Sequence, residues 1–329
     1  MSMAFRLSSK TLAGAILAGS VFLANCGEKT EKETPPSHPS ATQPGKGART
    51  IVYIGYSSSN KFWNTVKAGA AKTSRELGVE LQDLTTVDPT PIEQKNAIDN
   101  AVLKRVDGLI LGAIDPRALR GSLDKAYAAG IPVIAIAEYL DDHPAVRSRI
   151  YTDELYGAGL AGRYIVERLG GKGKVLILGG KVGSPAAEHR RKGVADPCEE
   201  AGMEALFRPA DWVEENANEI TQNELDRDPS IDAIFAACDP MILAAKQVAK
   251  HKGLLDRMVL VGYDGIPECL QAIQKGEVEA TIRQDPARMG RESVELMARL
   301  LEGEAVPEMT TIKPILVTKE NVDQYLGGE

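Results

Sequence analysis

The chain has 329 residues, which at roughly 100–200 residues per domain predicts about two domains. Hydrophobic residues make up 43% and charged residues 26%, a composition that excludes fibrous and wholly disordered proteins. The 46 acidic residues outnumber the 39 basic ones, and a net charge of −7 argues against a dedicated nucleic-acid-binding protein.

The first 25 residues have the pattern of an export signal. Arg6 and Lys10 precede an apolar stretch of about 14 residues, whereas a membrane-spanning helix needs about 20. The stretch ends in Leu-Ala-Asn-Cys-Gly, which resembles the lipobox of bacterial lipoproteins, although Asn25 departs from the usual Gly, Ala or Ser. We therefore predict a lipoprotein signal peptide over residues 1–25 with lipid attached to Cys26. The alternative is an ordinary secretory signal followed by a coincidental cysteine.

Residues 26–49 are rich in Pro, Ser, Thr, Gly and charge, and contain no aliphatic side chain larger than alanine. Such a segment buries too little surface to offset the entropy of ordering. It predicts a disordered linker that tethers a folded body to the membrane. A disordered terminus without that role has the same composition.

From residue 51, short β-rich runs alternate with helical patterns. The predicted strands are 51–55, 79–84, 108–112 and 132–136, and the predicted helices are 62–77, 92–104 and 116–129. The connections are short and the apolar runs nearly continuous. This pattern is typical of a parallel sheet that helices cover on both faces.

After residue 153 the same pattern begins again. The predicted helices are 155–169, 185–201, 215–226 and 240–251, and the predicted strands are 174–178, 205–207, 233–236, 258–262 and 279–283. A last helix over 286–302 leads to a final strand near 312–317. We therefore predict an α/β protein with two doubly wound, Rossmann-like lobes.

Signatures of catalysis and of metal binding are absent from the sequence. The four histidines and the cysteines lack zinc-site spacing, and no P-loop, dinucleotide fingerprint, nucleophile elbow or HExxH motif occurs. The sequence predicts no metal, no cofactor and no enzyme activity. Export would permit a disulfide among Cys198, Cys238 and Cys269, but spacing does not decide whether one forms.

Polar and aromatic side chains follow the predicted strands, at the sheet edge where open α/β folds bind ligands. The candidate ligand-binding residues are Asn60, Phe62, Trp63, Glu138, Arg190, Trp212, Asp264 and Gln284. Charged and amide groups hold sugar hydroxyls, and aromatic rings cover sugar C–H faces. The combination favours a sugar or polyol ligand.

Each of these positions also has a purely structural interpretation. Phe62 and Trp63 could pack the first helix on its sheet, and Trp212 could belong to the core. Arg190 stands in a charged stretch that could be a solvated helix face, and Asp264 could cap a turn.

Across roughly residues 50–320 the chain resembles the periplasmic solute-binding proteins of sugar ABC transporters, in particular the ribose-binding-like, type I group. The motifs that carry the resemblance are Asn60–Trp63, Ala129–Ile134, Thr152-Asp153, Ser184–Arg190, Pro209–Trp212, Val261–Gly265 and Ala280–Gln284. The resemblance implies parallel sheets in two lobes joined by a three-strand hinge, with a ligand enclosed between them. It places the N-terminal lobe at 51–152 plus 285–312 and the C-terminal lobe at 153–284 plus 313–329.

Three departures from the ribose binders make ribose itself doubtful. Ala137-Glu138 replaces their Asp-Arg pair, and Cys238 replaces an Asn. A buried polar group left unpaired costs about 1–3 kcal/mol, so these changes retune the pocket. With Glu138 and Asp264 facing one Arg190, we hypothesise a preference for a polyol, a deoxy sugar or an amino sugar.

The resemblance predicts the substrate-binding lipoprotein of a sugar-type ABC importer in the periplasm or cell envelope. Its partners would be a monosaccharide or polyol, the permease subunits, and a membrane reached only through the lipid anchor, without nucleic acid. A sensor-only sugar receptor is the first alternative. A transcriptional regulator of the same two-lobed fold is the second, although residues 1–49 lack a helix-turn-helix pattern.

Overall fold

The computed structural model of the protein describes residues 49–87, 90–140 and 142–327, all within one structural unit. The predicted signal peptide, Cys26 and the linker up to residue 48 lie outside the described residues. In the described ranges, no helix has both the length and the apolar character that crossing a membrane requires.

Strands and helices alternate along nearly the whole described chain. In order they are β1 (Thr50–Ile54), α1 (Lys61–Leu77), β2 (Glu80–Asp83), α2 (Pro91–Leu103), β3 (Gly108–Leu111), α3 (Pro116–Ala128), β4 (Val133–Ile136), β5 (Val146–Thr152), α4 (Glu154–Leu169), β6 (Lys174–Gly179), α5 (Pro185–Glu200), β7 (Glu204–Pro209), α6 (Glu214–Arg227), β8 (Ala233–Ala236), α7 (Asp239–His251), β9 (Val259–Asp264), α8 (Pro267–Lys275), β10 (Ala280–Arg283), α9 (Pro286–Leu301), β11 (Met309–Ile312) and β12 (Ile315–Thr318).

The first sheet is parallel throughout, with strand order β11-β5-β4-β3-β1-β2. Successive side chains of β1 point to opposite faces. Ile51 and Tyr53 join a core with α1 and α9, whereas Val52 and Ile54 join a core with α2 and α3. Helices therefore cover both faces, as the near-continuous apolar strands predict.

The second sheet has the order β12-β10-β9-β8-β6-β7. Its neighbours are parallel except for β12, which runs antiparallel to β10. One continuous core joins this sheet to the helices around it. The predicted α/β class with two doubly wound sheets is confirmed, with the single antiparallel edge as a correction.

Three predicted details were wrong. The sequence prediction omitted β5, because Arg147 and Arg149 interrupt its apolar pattern, although Arg149 is buried and bonds Asp142 Oδ1 at 2.9 Å. It also omitted α8. The single strand expected near 312–317 is in fact two strands, β11 and β12, which belong to different sheets.

The chain therefore passes between the sheets after β5, after β10 and between β11 and β12. The first two passages are in contact, because the Thr152 hydroxyl donates to Gln284 Oε1 at 2.5 Å. Thus the polar residues at the ends of β5 and β10 lie together. The predicted lobe boundaries coincide with these passages and stay a proposal.

The packing of α1 on α9 depends on one glycine in each helix. A Cβ at Gly290 would overlap the carbonyl oxygen of Val66, and a Cβ at Gly69 would overlap that of Ala287. Backbone cannot yield as a flexible side chain can. The contact ties the last long helix, which follows β10 of the second sheet, to the first sheet.

We expect Gly290→Ala to lower the free energy of unfolding by about 1–3 kcal/mol, the usual cost of overpacking. Gly121→Ala is a matched control, because Gly121 also lies inside a helix but a Cβ there meets nothing within 4 Å. Alanine should stabilise that position by up to about 1 kcal/mol. Urea unfolding of both variants measures the difference, and equal midpoints would contradict the proposed role of Gly290.

Candidate functional site

A cavity opens at the carboxyl ends of strands from both sheets. It contains about 560 Å³ of space not filled by atoms, including its open mouth. The residues that line it are Tyr56, Asn60, Phe62, Trp63, Ala137, Glu138, Glu154, Ala186, Arg190, Trp212, Cys238, Asp264 and Gln284.

The structure brings all the predicted ligand-binding residues to this one cavity. Asn60, Phe62, Trp63 and Glu138 come from the first sheet and its helices, and the others come from the second. Their role in binding stays a prediction. Sequence reasoning missed Tyr56, Glu154 and Ala186.

Arg190 is buried, so the alternative of a solvated helix face is wrong. Its main partner is Glu154, which receives Nε–H at 2.7 Å and Nη2–H at 3.0 Å in a bidentate pair. Nη1 donates to the carbonyl oxygen of Ala237 at 2.6 Å. The guanidinium also lies 3.8 Å from the ring centroid of Tyr263. The side chain is therefore fixed on several sides.

Asp264 lies beside this pair. Its Oδ1 accepts from Gln284 Nε2 at 2.7 Å and from Arg190 Nη1 at 3.4 Å. Burial raises the pKa of the Asp264 carboxyl, while Arg190 opposes that change. Asp264 is thus held on the cavity wall by bonds to both of its polar neighbours.

A buried aspartate behind the cavity fixes the turn after Asp264. Asp239 Oδ2 accepts from the backbone N–H groups of Gly265 and Ile266 at 2.7 and 2.8 Å, and Oδ1 accepts from the Thr281 hydroxyl at 2.7 Å. Burial raises the pKa of Asp239 as well, and the nearby Asp264 adds to the effect. Asp239 therefore acts on the site through the backbone.

Glu138 follows β4 and is half-buried. It accepts from the Ser184 hydroxyl at 3.2 Å, and Ser184 also caps α5 by accepting from the N–H of Ala187. This contact joins the first sheet to a helix of the second. Burial raises the pKa of Glu138 to about 7, with Ser184 and Arg190 opposing it.

Aromatic rings lie on both walls. Trp63 is packed so closely against Gly112 that a Cβ there would overlap its ring, which supports the structural interpretation of Trp63 beside its place in the cavity. The Tyr56 ring is nearly parallel to it, with centroids 6.2 Å apart. On the other wall Trp212 packs against Gly180, 5.3 Å from the Arg190 guanidinium.

The backbone is unusual at this edge. Ala137, Asp211, Trp212 and Asp264 have positive φ angles of 61°, 55°, 66° and 123°. Such angles cost of order 1–3 kcal/mol each for non-glycine residues and cluster at functional sites. Asn60, in contrast, has a plain structural role, since its side-chain oxygen caps α1 by accepting from the N–H of Phe62 at 2.8 Å.

The remaining candidate groups form no second centre. Within the part of the chain that the structure describes, no three His, Cys, Asp or Glu side chains are placed to hold a metal ion. Cys198, Cys238 and Cys269 are buried free thiols. Burial raises the pKa of Cys198 to about 11, so the thiol stays protonated at neutral pH.

Comparison with known proteins identifies the family. A sequence profile described as the periplasmic binding protein domain matches residues 51–305. The ribose import binding protein of Salmonella typhimurium is 30% identical over 272 residues, which cover 82% of this chain and 91% of that protein. The D-allose-binding periplasmic protein of Escherichia coli is 27% identical over 277 residues, 79% of this chain and 89% of that protein.

A solved structure agrees with these relatives. The crystal structure of a periplasmic solute-binding protein of an ABC transporter from Actinobacillus succinogenes, with bound D-allose, is similar with a TM-score of 0.80. The identity is 26%, over 84% of this chain and 100% of that chain. The chain therefore belongs to the periplasmic binding protein family, which confirms the family and the fold class predicted from its sequence.

Proposed function

We propose that this protein is the substrate-binding component of a sugar-type ABC importer and that it captures a monosaccharide or polyol in the cavity described above. The observation that carries the proposal is the distribution of groups in that cavity. Carboxylates, a guanidinium and amides can hold hydroxyls, while rings on two opposite walls can cover C–H faces. The relatives named for ribose import and allose binding support the same class of ligand.

Capture proceeds by closure of two lobes, 51–152 plus 285–312 and 153–284 plus 313–329. Two polar contacts that link the sheets support this movement: Ser184 with Glu138, and Lys61 at the start of α1 with Glu268 at the start of α8. A ligand that touches both walls binds the closed form more tightly and shifts the population toward it. The closed form then docks on the permease subunits.

Residues 1–49 supply the location in this proposal. Lipid on Cys26 anchors the protein in the periplasm or cell envelope, and the linker 26–49 gives the folded body reach from the membrane. The protein performs no reaction, as is expected of a solute-binding component. A sensor-only receptor would bind the same ligands, and growth of a deletion strain on the ligand separates transport from sensing.

A thermal-shift screen of about a hundred sugars and polyols tests ligand capture. A ligand present at 100 times its Kd adds about 2.7 kcal/mol of stability. If no compound raises the Tm of the protein, the proposed function is wrong.

For a compound found in this way, we expect Trp212→Ala to weaken binding ten- to a hundredfold, since a buried ring face contributes about 1.5–3 kcal/mol. Tyr127→Ala is the control, because Tyr127 is an exposed aromatic residue on α3 outside the cavity. Isothermal titration calorimetry gives both Kd values. Equal affinity in the two variants would show that Trp212 does not contribute to ligand binding.

A further inference from the structure

The charges around the cavity do not balance. Glu138, Glu154 and Asp264 line it, and Arg190 is the one cation among its described lining residues. Glu154 takes two of the Arg190 hydrogen bonds in the bidentate pair. Asp264 receives only the longer contact of 3.4 Å, and Glu138 has no ion pair among the described residues. When its carboxyl groups are ionised, the cavity therefore carries a negative excess.

Glu138 is the least satisfied of these carboxylates. Its two oxygens share one hydroxyl donor, Ser184 Oγ, at 3.2 and 3.5 Å, and no second donor to Glu138 is found in the described chain. An ionised carboxylate can accept at about four lone-pair positions. Removing such a group from water is costly unless it gains a partner of opposite charge. Glu138 lines the cavity, so a ligand bound there can supply that partner.

Three aromatic rings line the cavity together with Glu138. Tyr56 and Trp63 lie nearly parallel, and the Phe62 ring meets Trp63 edge to face with centroids 5.4 Å apart. Glu138 is close enough to Tyr56 to raise the pKa of its phenol, so the two groups interact electrostatically. Ring faces attract cations within about 6 Å. A carboxylate beside aromatic rings is a favourable setting for an ammonium group.

A neutral sugar and a protonated amine would satisfy this corner differently. A hydroxyl gives Glu138 a single donor and leaves the charge uncompensated. An ammonium group gives three N–H donors and one positive charge, and it can also lie against a ring. An ammonium group therefore supplies the missing hydrogen bonds and compensates the excess negative charge.

We propose that the ligand carries a protonated amino group, seated against Glu138 and the rings of Tyr56 and Trp63, and that its class is an amino sugar or an amino polyol. Asp264, Gln284 and Trp212 then hold the hydroxyl-bearing remainder on the opposite wall. This inference rests on the proposed function of the cavity and narrows its ligand class.

Matched pairs of compounds test the inference by calorimetry on the full chain. The pairs are D-glucosamine with D-glucose, D-galactosamine with D-galactose, and 1-amino-1-deoxy-D-glucitol with D-glucitol. We expect an amine to bind at least tenfold more tightly than its hydroxyl partner in one pair or more. N-acetylation of that amine should cancel the preference, because it removes the charge.

A variant assigns the preference to one residue. Glu138→Gln keeps the shape and removes the charge, and the factor by which it weakens binding of the amine should be at least tenfold larger than the factor for its neutral partner. Glu188→Gln, which removes an exposed carboxylate paired with Arg191 on α5, should leave both values unchanged. Equal losses for both members of a pair in Glu138→Gln would overturn the inference.

The outcomes also separate this inference from the proposed function. Tight binding of a neutral sugar with no gain for its amine overturns the amine and leaves sugar capture in place. If no member of any pair binds and the wider sugar screen is also negative, both proposals are wrong. If only neutral compounds of the wider screen bind, the amine alone is wrong.

Discussion

Replacing Arg190 with methionine is expected to lower the free energy of unfolding by about 3–5 kcal/mol, the usual effect of removing one partner of a buried ion pair. Glu154 is 2% exposed and loses both of its charge-assisted hydrogen bonds. Asp264 loses its contact with a cation at 3.4 Å, and the carbonyl oxygen of Ala237 loses a donor at 2.6 Å. The charged groups that then remain among the described lining residues are all carboxylates, so sugar binding should fall at least a hundredfold.

The next residue in α5 supplies the control. Arg191 forms a bidentate pair with Glu188 on the surface, and exposed pairs contribute about 0–1 kcal/mol. Arg191→Met should therefore unfold close to the midpoint of the unaltered protein in urea. If Arg190→Met unfolds at the same midpoint as Arg191→Met, the central role of Arg190 in the site is wrong.

A double variant separates stability from binding. Arg190→Met with Glu154→Leu replaces the buried pair by apolar side chains, an exchange that is often neutral in free energy. We expect it to regain most of the lost stability without regaining ligand affinity. A double-mutant cycle over the single and double variants gives the coupling energy of the pair.

The location of the site could be predicted because the sequence indicates where the strands end. Short apolar runs marked the strands, and the polar residues after them meet at one edge by the geometry of parallel sheets. That reasoning found Arg190 and predicted that two carboxylates, Glu138 and Asp264, face it. The bidentate partner is Glu154, which begins the helix after β5.

Glu154 was missed because β5 was missed. Buried strands were expected to be apolar, whereas Arg149 in β5 is buried with its charge satisfied by Asp142 and the carbonyl oxygen of Leu140. That pairing is a tertiary feature, since it brings in a loop that local pattern does not place. Asp239 is a similar case, because its role depends on the turn at Gly265 in another connection.

The final strands show a second limit. The residues near 312–317 were expected to form one strand, but they are divided between two strands of different sheets, because each strand pairs with an open edge of a different sheet. The local sequence does not indicate which sheet edges are open. Register and sheet membership are therefore decided by long-range packing, since β11 pairs with β5 and β12 pairs with β10.

The unliganded protein is expected to lose stability as the pH rises from about 5 to 7.5. Burial raises the pKa of Glu138 to about 7 and raises those of Asp239 and Asp264, so the folded chain binds more protons than the unfolded chain in this range. Stability falls with pH wherever the native state holds more protons. The contribution of these groups is complete below the unfolded pKa values near 4 and is gone above about 7.

Other carboxyl groups act in a lower range. The pKa of Glu277 is lowered to about 2 by Lys246 and Lys250, and the pKa of Glu188 is lowered by Arg191. Such groups contribute stability above the unfolded pKa and lose it as the pH falls toward the folded value. Above pH 5 they are ionised in both states. These groups therefore add little to the slope between pH 5 and 7.5.

Glu138→Gln isolates one of these groups. The described groups that interact with Glu138 are Ser184, Arg190, Glu154, Tyr56, Tyr139 and Tyr151. Each pKa unit corresponds to 1.36 kcal/mol, so raising the Glu138 carboxyl from 4.5 to about 7 makes its ionisation cost about 2–3 kcal/mol at pH 7.5. Glu138→Gln should therefore raise the free energy of unfolding by about 2–3 kcal/mol at pH 7.5 and change it little at pH 4.

Urea unfolding of the unaltered protein, Glu138→Gln and Glu188→Gln at pH 5 and 7.5 measures the effect, and Glu188→Gln should keep the full slope. If Glu138→Gln also keeps the full slope, Glu138 ionises without cost in free energy.

The free energy that ionisation of Glu138 costs also affects the choice of ligand. A cation beside Glu138 recovers this free energy when it binds, whereas a neutral ligand leaves the charge unpaired or requires a proton. Because a cation favours the ionised carboxylate, an amine should release protons when it binds at pH 6, as read from calorimetry in buffers of different ionisation enthalpy, whereas its hydroxyl partner should release none.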